Sequence, residues 1–333
     1  MNVNHVNSRS HAYALFANLL LYGISESTLP IINQLSDLAA ALPQPFDLTQ
    51  AAVAHEHLLG MNIFANESFF LDQTGLVGGE VADGVLESYR RVGYTPPSAA
   101  NSADHMGAEL GLLSFLAGAQ ADALTDGQAV MAQRMQQEQR LFLQQHLLRW
   151  LAPCVIALQR AGDGFYAEVA NLLLALVADH WRQISAAPIG SDDEIALTAR
   201  ADSTFSLPIT PDLLENDKTS LRDIAEFLVT PPYAGIYVSR DAITELGRQQ
   251  QLPRGFGERK LLLNNLLQAA AQYDLAVTVF HELGNVVDGW CDAYAAIIAE
   301  YPLLKPFVSP WQQRATQTRQ LLTQISQLIP LID

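Results

Sequence analysis

The chain has 333 residues, 49% of them apolar, and a formal charge of −16. That length suits about two domains of ordinary size, and that apolar fraction excludes wholesale disorder. Acidity runs through both halves, −9 up to residue 184 and −7 beyond it, with all three lysines (Lys218, Lys260, Lys305) in the second half. Such a field repels nucleic acid and anionic membranes and favours a cationic or basic-peptide partner, although acidity also serves solubility alone.

Helical periodicity dominates, and strand alternation is scarce. Arg9 followed by residues 12–24 imitates a signal peptide. It lacks a small-x-small cleavage site and Asn18 interrupts it, so it reads as a first, buried helix over about 8–23. Further helices are expected over about 28–41, 48–60, 79–92, 103–118, 127–160 and 163–184. Pro153 is expected to kink the sixth or open a new helix there. Loops fall at 43–45, 60–78 and 94–101, each rich in Gly, Pro or Asn. No apolar run approaches the ~20 residues of a membrane span, so membrane insertion is not expected. Cys154 and Cys291 lie in apolar helical stretches, which suits reduced, buried thiols and a cytoplasmic chain.

Residues 186–219 break the pattern with Pro188, Gly190, Pro208 and Pro211 around the acidic run Asp192-Asp193-Glu194. They read as a linker. Helices then resume at about 221–229, 240–251, 258–272, 275–300 and 309–329, with Ser220, Asp223 and Ser239 as caps. The expectation is an all-α chain in two units: a helical bundle over 1–185, the linker over 186–219, and a second, smaller helical unit over 220–333. Long helices joined by a linker also permit a domain-swapped homodimer.

Polar residues concentrate at element ends between 67 and 109. Asn101 or Ser102 can cap a helix whose first turn holds Asp104, where the helix dipole favours an anion. His105 and Glu109 share a face. An acidic, hydrogen-bonding rim of this kind suits guanidinium groups, which carboxylates take in bidentate fashion; an ordinary capped helix with a solvated His–Glu pair would look the same. Glu67-Ser68-Phe69-Phe70 either offers an apolar surface beside a charge or anchors its loop in the core. His146 and Trp150, four apart, read as a core face with one satisfied histidine.

Enzyme templates fail in turn. In His55-Glu56-His57, alternate residues of a helix do not face each other. His281-Glu282-Leu283-Gly284-Asn285 has Asn where a zinc-protease helix needs His. Gly255-Phe256-Gly257 lacks a third glycine and a preceding strand. There is no phosphate loop and no nucleophile elbow. No catalytic residue, metal site or cofactor is expected.

Taken in order, several pieces from residue 9 to about 184 resemble the TorD/DmsD/NarJ-type redox-enzyme maturation chaperones, nearest the TorD-like branch. They are Tyr13-Ala14-Leu15-Phe16 with Tyr22-Gly23, Glu67-Ser68-Phe69-Phe70, Gly75-Leu76-Val77-Gly78-Gly79-Glu80, Tyr89 and Gly93, Asp104-His105-Met106 with Glu109-Leu110, Phe142 to Leu147 with Trp150, and Phe165-Tyr166. Asn101-Ser102-Ala103 stands where the family often has an acid and a proline. The resemblance implies an all-helical, cytoplasmic chaperone without chemistry of its own. It would bind the twin-arginine signal peptide or the apo form of a molybdenum or tungsten bis-pterin oxidoreductase and assist cofactor insertion before export. The expected binding groove is bounded by Glu67, Phe69, Tyr89, Asp104, His105 and Glu109. An assembly factor acting through the C-terminal unit and a metal-dependent hydrolase are the alternatives. Two motif-like stretches, 231–240 and 253–259, read as loop and cap chemistry.

Overall fold

The computed structural model describes residues 2–185, 205–214, 219–253 and 255–329. Much of the expected linker, including Asp192-Asp193-Glu194, therefore lies outside the described residues. Every element is helical, and among the described residues the one extended pairing is an isolated antiparallel bridge between Asn66 and His105. The chain is all-α.

Helix α1 (Val3–Tyr22) starts where the Asn2 side chain accepts from the Asn4 N–H and stops at Gly23, φ 72°. Two short helices follow, α2 (Leu29–Ile32) and α3 (Ser36–Ala41). α4 (Leu48–His55) runs into a π turn over Glu56–Asn62. Residues 60–78, expected as loop, contain a one-turn helix α5 (Glu67–Leu71), too short to leave a periodic signal. α6 (Gly79–Val92) buries Ala82, Val85, Ser88 and Tyr89, the i, i+3, i+6, i+7 stripe of an amphipathic helix. α7 (Met106–Thr125) pairs closely with α1. Glycine permits that approach: a Cβ on Gly107 would stand 2.5 Å from Leu21 Cγ and 3.0 Å from the Ala17 carbonyl oxygen. Ser10 and Ser114 then donate to each other's carbonyls at 2.8 and 2.9 Å.

The long stretch from Ala129 to Arg160 is three pieces: α8 (Ala129–Phe142), a π turn over Leu143–Leu147, and α9 (Leu148–Arg160). It is long and apolar enough to cross a membrane, yet 78% of its most apolar window is buried in the protein. Of the two outcomes expected at Pro153, a new helix does not open there: it lies inside α9. A proline at 153 cannot donate to the carbonyl of Arg149. That carbonyl accepts instead from Trp311 Nε1 at 2.7 Å. α10 (Gly164–Ser185) is the last described helix before residue 205.

After residue 220 come α11 (Leu221–Val229), with a Ser220/Asp223 capping box, α12 (Pro231–Ala234), α13 (Arg240–Gln249), α14 (Arg259–Gln272), α15 (Ala276–Glu300) and α16 (Lys305–Leu328). The stretch 231–240 is where α16 crosses the chain. Gly235, φ 70°, has no room for a Cβ, which would stand 2.4 Å from the Ala315 nitrogen. Its carbonyl accepts from Tyr294 Oη at 2.9 Å, and that of Ala234 from Thr318 Oγ1 at 2.8 Å.

One continuous core joins the two sets of helices. Phe70, fully buried, lies 5.5 Å from Trp150 and 5.5 Å from Tyr237, with Trp311 edge-on at 6.5 Å. Burying such a side chain stabilises by about 1.5–3 kcal/mol. Cys154 is a buried free thiol, whereas Cys291 is only half-buried.

Candidate functional site

The site is built where two chain segments meet. The Glu67 N–H donates to the Asp104 carbonyl at 2.9 Å, and the Met106 N–H donates to that of Ala65 at 2.8 Å. Asp104 then caps α5 from 36 residues away: its Oδ2 accepts from the Ser68 N–H at 2.8 Å. Its Oδ1 takes Ser102 Oγ and, at 3.4 Å, Asn66 Nδ2. Asp104 was expected inside the first turn of its own helix. It lies before that helix, which starts at Met106 with His105 as N-cap. His105 Nδ1 accepts from the Gly107 N–H at 3.1 Å. Burial, opposed by the Asp104 charge, pushes His105 down to about 4, so its ring is neutral at pH 7, as an acceptor must be.

The six residues expected to bound a groove converge, but five lie beneath the surface. Glu67, Phe69, Tyr89, Asp104 and Glu109 are buried, and His105 is half-buried. An open rim and a solvated His105–Glu109 pair are therefore not what the fold builds. The reason is α7 itself: Leu110, Leu112, Leu113 and Leu116 leave it apolar nearly all round, and such a helix is enclosed. Tyr89 Oη donates to the Ala103 carbonyl at 2.6 Å and so braces the segment before Asp104.

Phe69 is covered by the C-terminal helices. The Arg259 guanidinium lies 4.6 Å from the ring centroids of both Phe69 and Tyr237. It donates to the carbonyls of Val238 at 3.0 Å and Val229 at 2.9 Å. Tyr237 Oη donates to the Asn62 carbonyl at 2.7 Å. The motif-like stretches 231–240 and 253–259 thus clamp the Glu67–Phe70 turn. Arg254, in the second, lies outside the described residues.

Neither Glu109 carboxyl oxygen makes a hydrogen bond of ordinary geometry among the described residues, although the Glu67 carboxyl and the Trp150 indole stand close enough to bear on its proton. Burial first, then the charges of Glu67 and Asp104, push the Glu109 carboxyl well above the usual carboxylate range. Both causes favour its uncharged form.

Glu67, though buried, is the member of the six that lines the groove beside it. Its Oε2 lies 3.0 Å from His146 Nδ1, and His146 Nε2 lies 3.0 Å from Ser88 Oγ. Both line a groove of about 430 Å³, walled by Leu71, Val81 and Gly84, with Glu80 and Arg149 at its edges. His146 reads from sequence as a satisfied core histidine, and it is largely buried; its partner Glu67, 79 residues away, could not be read from its own helix. Arg149 carries no signal in the sequence, and Glu80 stands there only as the last residue of the Gly75–Glu80 piece. His55 and His57 point apart, to the Leu20 carbonyl and to Asp241 respectively. No group of three or more metal-ligating side chains is assembled among the described residues.

The protein is thus an all-helical one with a buried acidic joint beside an open groove. The sequence profile of the family described as nitrate reductase delta subunit matches residues 34–155. Over that segment, which holds the joint, α6 and part of the groove wall but is less than half of the chain, the sequence is similar to the NarJ/TorD-type family of redox-enzyme maturation chaperones. No curated protein and no solved structure matches the chain.

Proposed function

We propose that the protein is a cytoplasmic maturation chaperone for a molybdenum or tungsten bis-pterin oxidoreductase of the nitrate-reductase-like kind. It binds the client's twin-arginine signal peptide or its apo form, assists cofactor insertion before export, and catalyses no reaction itself. One observation carries the reading: the matched family segment contains the joint and eight of the twelve residues that line the groove. The groove beside Glu67 receives the peptide, with Glu80 as a second acid. Asp104, Tyr89 and Phe69 hold Glu67 in place from beneath; Glu109 keeps the floor of the site uncharged. Residues 1–185 carry recognition, and the helices after 220 brace it.

Calorimetric titration with a twin-arginine peptide and with the full-length precursor tests this. Glu67→Gln or Glu80→Gln should each weaken binding by about 1–3 kcal/mol, the cost of one charge-assisted hydrogen bond. A Lys-Lys peptide that binds as well as the Arg-Arg one counts against guanidinium reading. No binding by either peptide or precursor ends the proposal.

A second reading rests on a different place. Phe256 is 85% exposed beside an apolar hollow lined by Ile243, Leu252, Leu262 and Leu266. Large exposed aromatics of this kind mark protein contacts. An assembly factor that grips folded subunits there would lose client capture on Phe256→Ser and keep it on Glu67→Gln.

A further inference from the structure

Residues 205–214 form neither helix nor strand, yet they are held against the protein. Phe205, Leu207 and Leu213 are half-buried against the common core, while Ile209 is 90% exposed. Phe205 lies over the Arg149 guanidinium, 6.0 Å from ring centroid to carbon, and the Pro208 carbonyl accepts from Arg314 Nη2 at 2.7 Å. Pro208 and Pro211 fix φ and remove two N–H groups, so an extended backbone here needs fewer partners than most. Phe205 to Pro208 are themselves part of the lining of the Glu67 groove. This strap walls one side of the groove with its half-buried Phe205 and Leu207. It places Ser206, not a base, there, and among the described residues no ion pair reaches Glu80.

We propose that residues 205–208 are the resident occupant of the groove. On this view its external ligand is an extended segment of the same pattern, an aromatic residue followed two and three places on by an aliphatic residue and a proline or similar apolar residue. A client segment displaces the strap by adding what the strap lacks, a base that meets Glu80 and Glu67. The proposal rests on the chaperone reading of this groove. The strap is tethered, so its effective concentration is on the order of a millimolar. An incoming segment without the extra charge contact loses to it. The groove is therefore closed to apolar peptides in general and opens to those that carry both features.

The test uses a fluorescent synthetic peptide of residues 205–214, read by anisotropy against the full-length protein. The wild type should exclude it. The Phe205→Ser/Leu207→Ser protein, with its own strap released, should bind it at least tenfold more tightly. A version of the peptide with arginine placed before its phenylalanine should bind this variant more tightly again, and that added gain should vanish with Glu80→Gln. Equal binding by wild type and variant, or none to either, overturns the proposal. If the double variant lacks the wild-type helical spectrum, Arg149→Met replaces it, with the same expected gain and the same overturning result. No signal peptide enters this experiment. A failed twin-arginine titration would therefore sink the chaperone reading and leave the strap result standing, and the reverse also holds.

Discussion

The one-turn helix α5 has two faces, and they are built by opposite rules. Toward α9 and the C-terminal helices, Phe69 and Phe70 meet Trp150 on the one and Arg259, Tyr237 and Trp311 on the other, in a packed face where the Arg259 guanidinium is aimed at two carbonyls. Toward α7, Glu67, Asp104 and Glu109 crowd three acids together, and Glu109 makes no hydrogen bond of ordinary geometry among the described residues. Buried polar groups left without partners cost stability and mark places kept for something other than folding. The contrast separates scaffold from recognition within five residues.

The comparison can be broken at its packed face first. Arg259→Ala removes two charge-assisted hydrogen bonds and two ring contacts, partly offset by no longer burying a cation. It should cost about 3 kcal/mol in chemical denaturation, and Arg259→Lys should not restore it, because an ammonium cannot stack and fork at once. A loss under about 1 kcal/mol would mean that this face does not hold α5. Next comes the cap. Asp104→Ala leaves the Ser68 N–H buried and unpaired and should cost about 2 kcal/mol, with the Glu67–His146 pair losing its register. Retention of full stability would show that the backbone pairing alone fixes the turn.

The smallest effect lies on the acid face and has a sign opposite to the others. The Glu109 carboxyl is raised in the fold above its ordinary 4.5. The fold therefore holds a proton that the unfolded chain releases, and stability present below that value drains away as pH rises. Glu109→Gln carries no such proton. Between pH 5 and 6 the wild type should lose about 1 kcal/mol relative to Glu109→Gln in paired urea titrations. Parallel curves across that range would remove the case for an uncharged acid.

The sequence lays open the parts of this molecule whose causes are local. α6 lies between Gly79 and Gly93, both with positive φ, on a clean amphipathic stripe, and its limits are readable. The capping box at Ser220 and the cap at Ser239 are equally local. What could not be read depends on distant partners. Asp104 looks like a helix-start acid until Asn66 to Ser68, some three dozen residues earlier, are laid beside it. Phe69 looks equally able to face water until Arg259 and Tyr237 cover it. Glu109 shares a turn with His105, but an almost wholly apolar helix gives no periodicity to say which way either turns. Length hides α5, since one turn shows no period.

One contact links the halves in a way that reaches beyond packing. The carbonyl that Pro153 leaves idle in α9 is answered by an indole from α16, which also stands edge-on to Phe70. Heating cannot melt the later helices without stripping a partner from the middle of the earlier ones. Calorimetry on the whole chain should therefore record a single endotherm, with van't Hoff and calorimetric enthalpies in agreement. A fragment ending near residue 185 would carry an idle carbonyl and a bare aromatic face, and its natural fate is self-association, so client binding by such a fragment has to be judged against its tendency to aggregate.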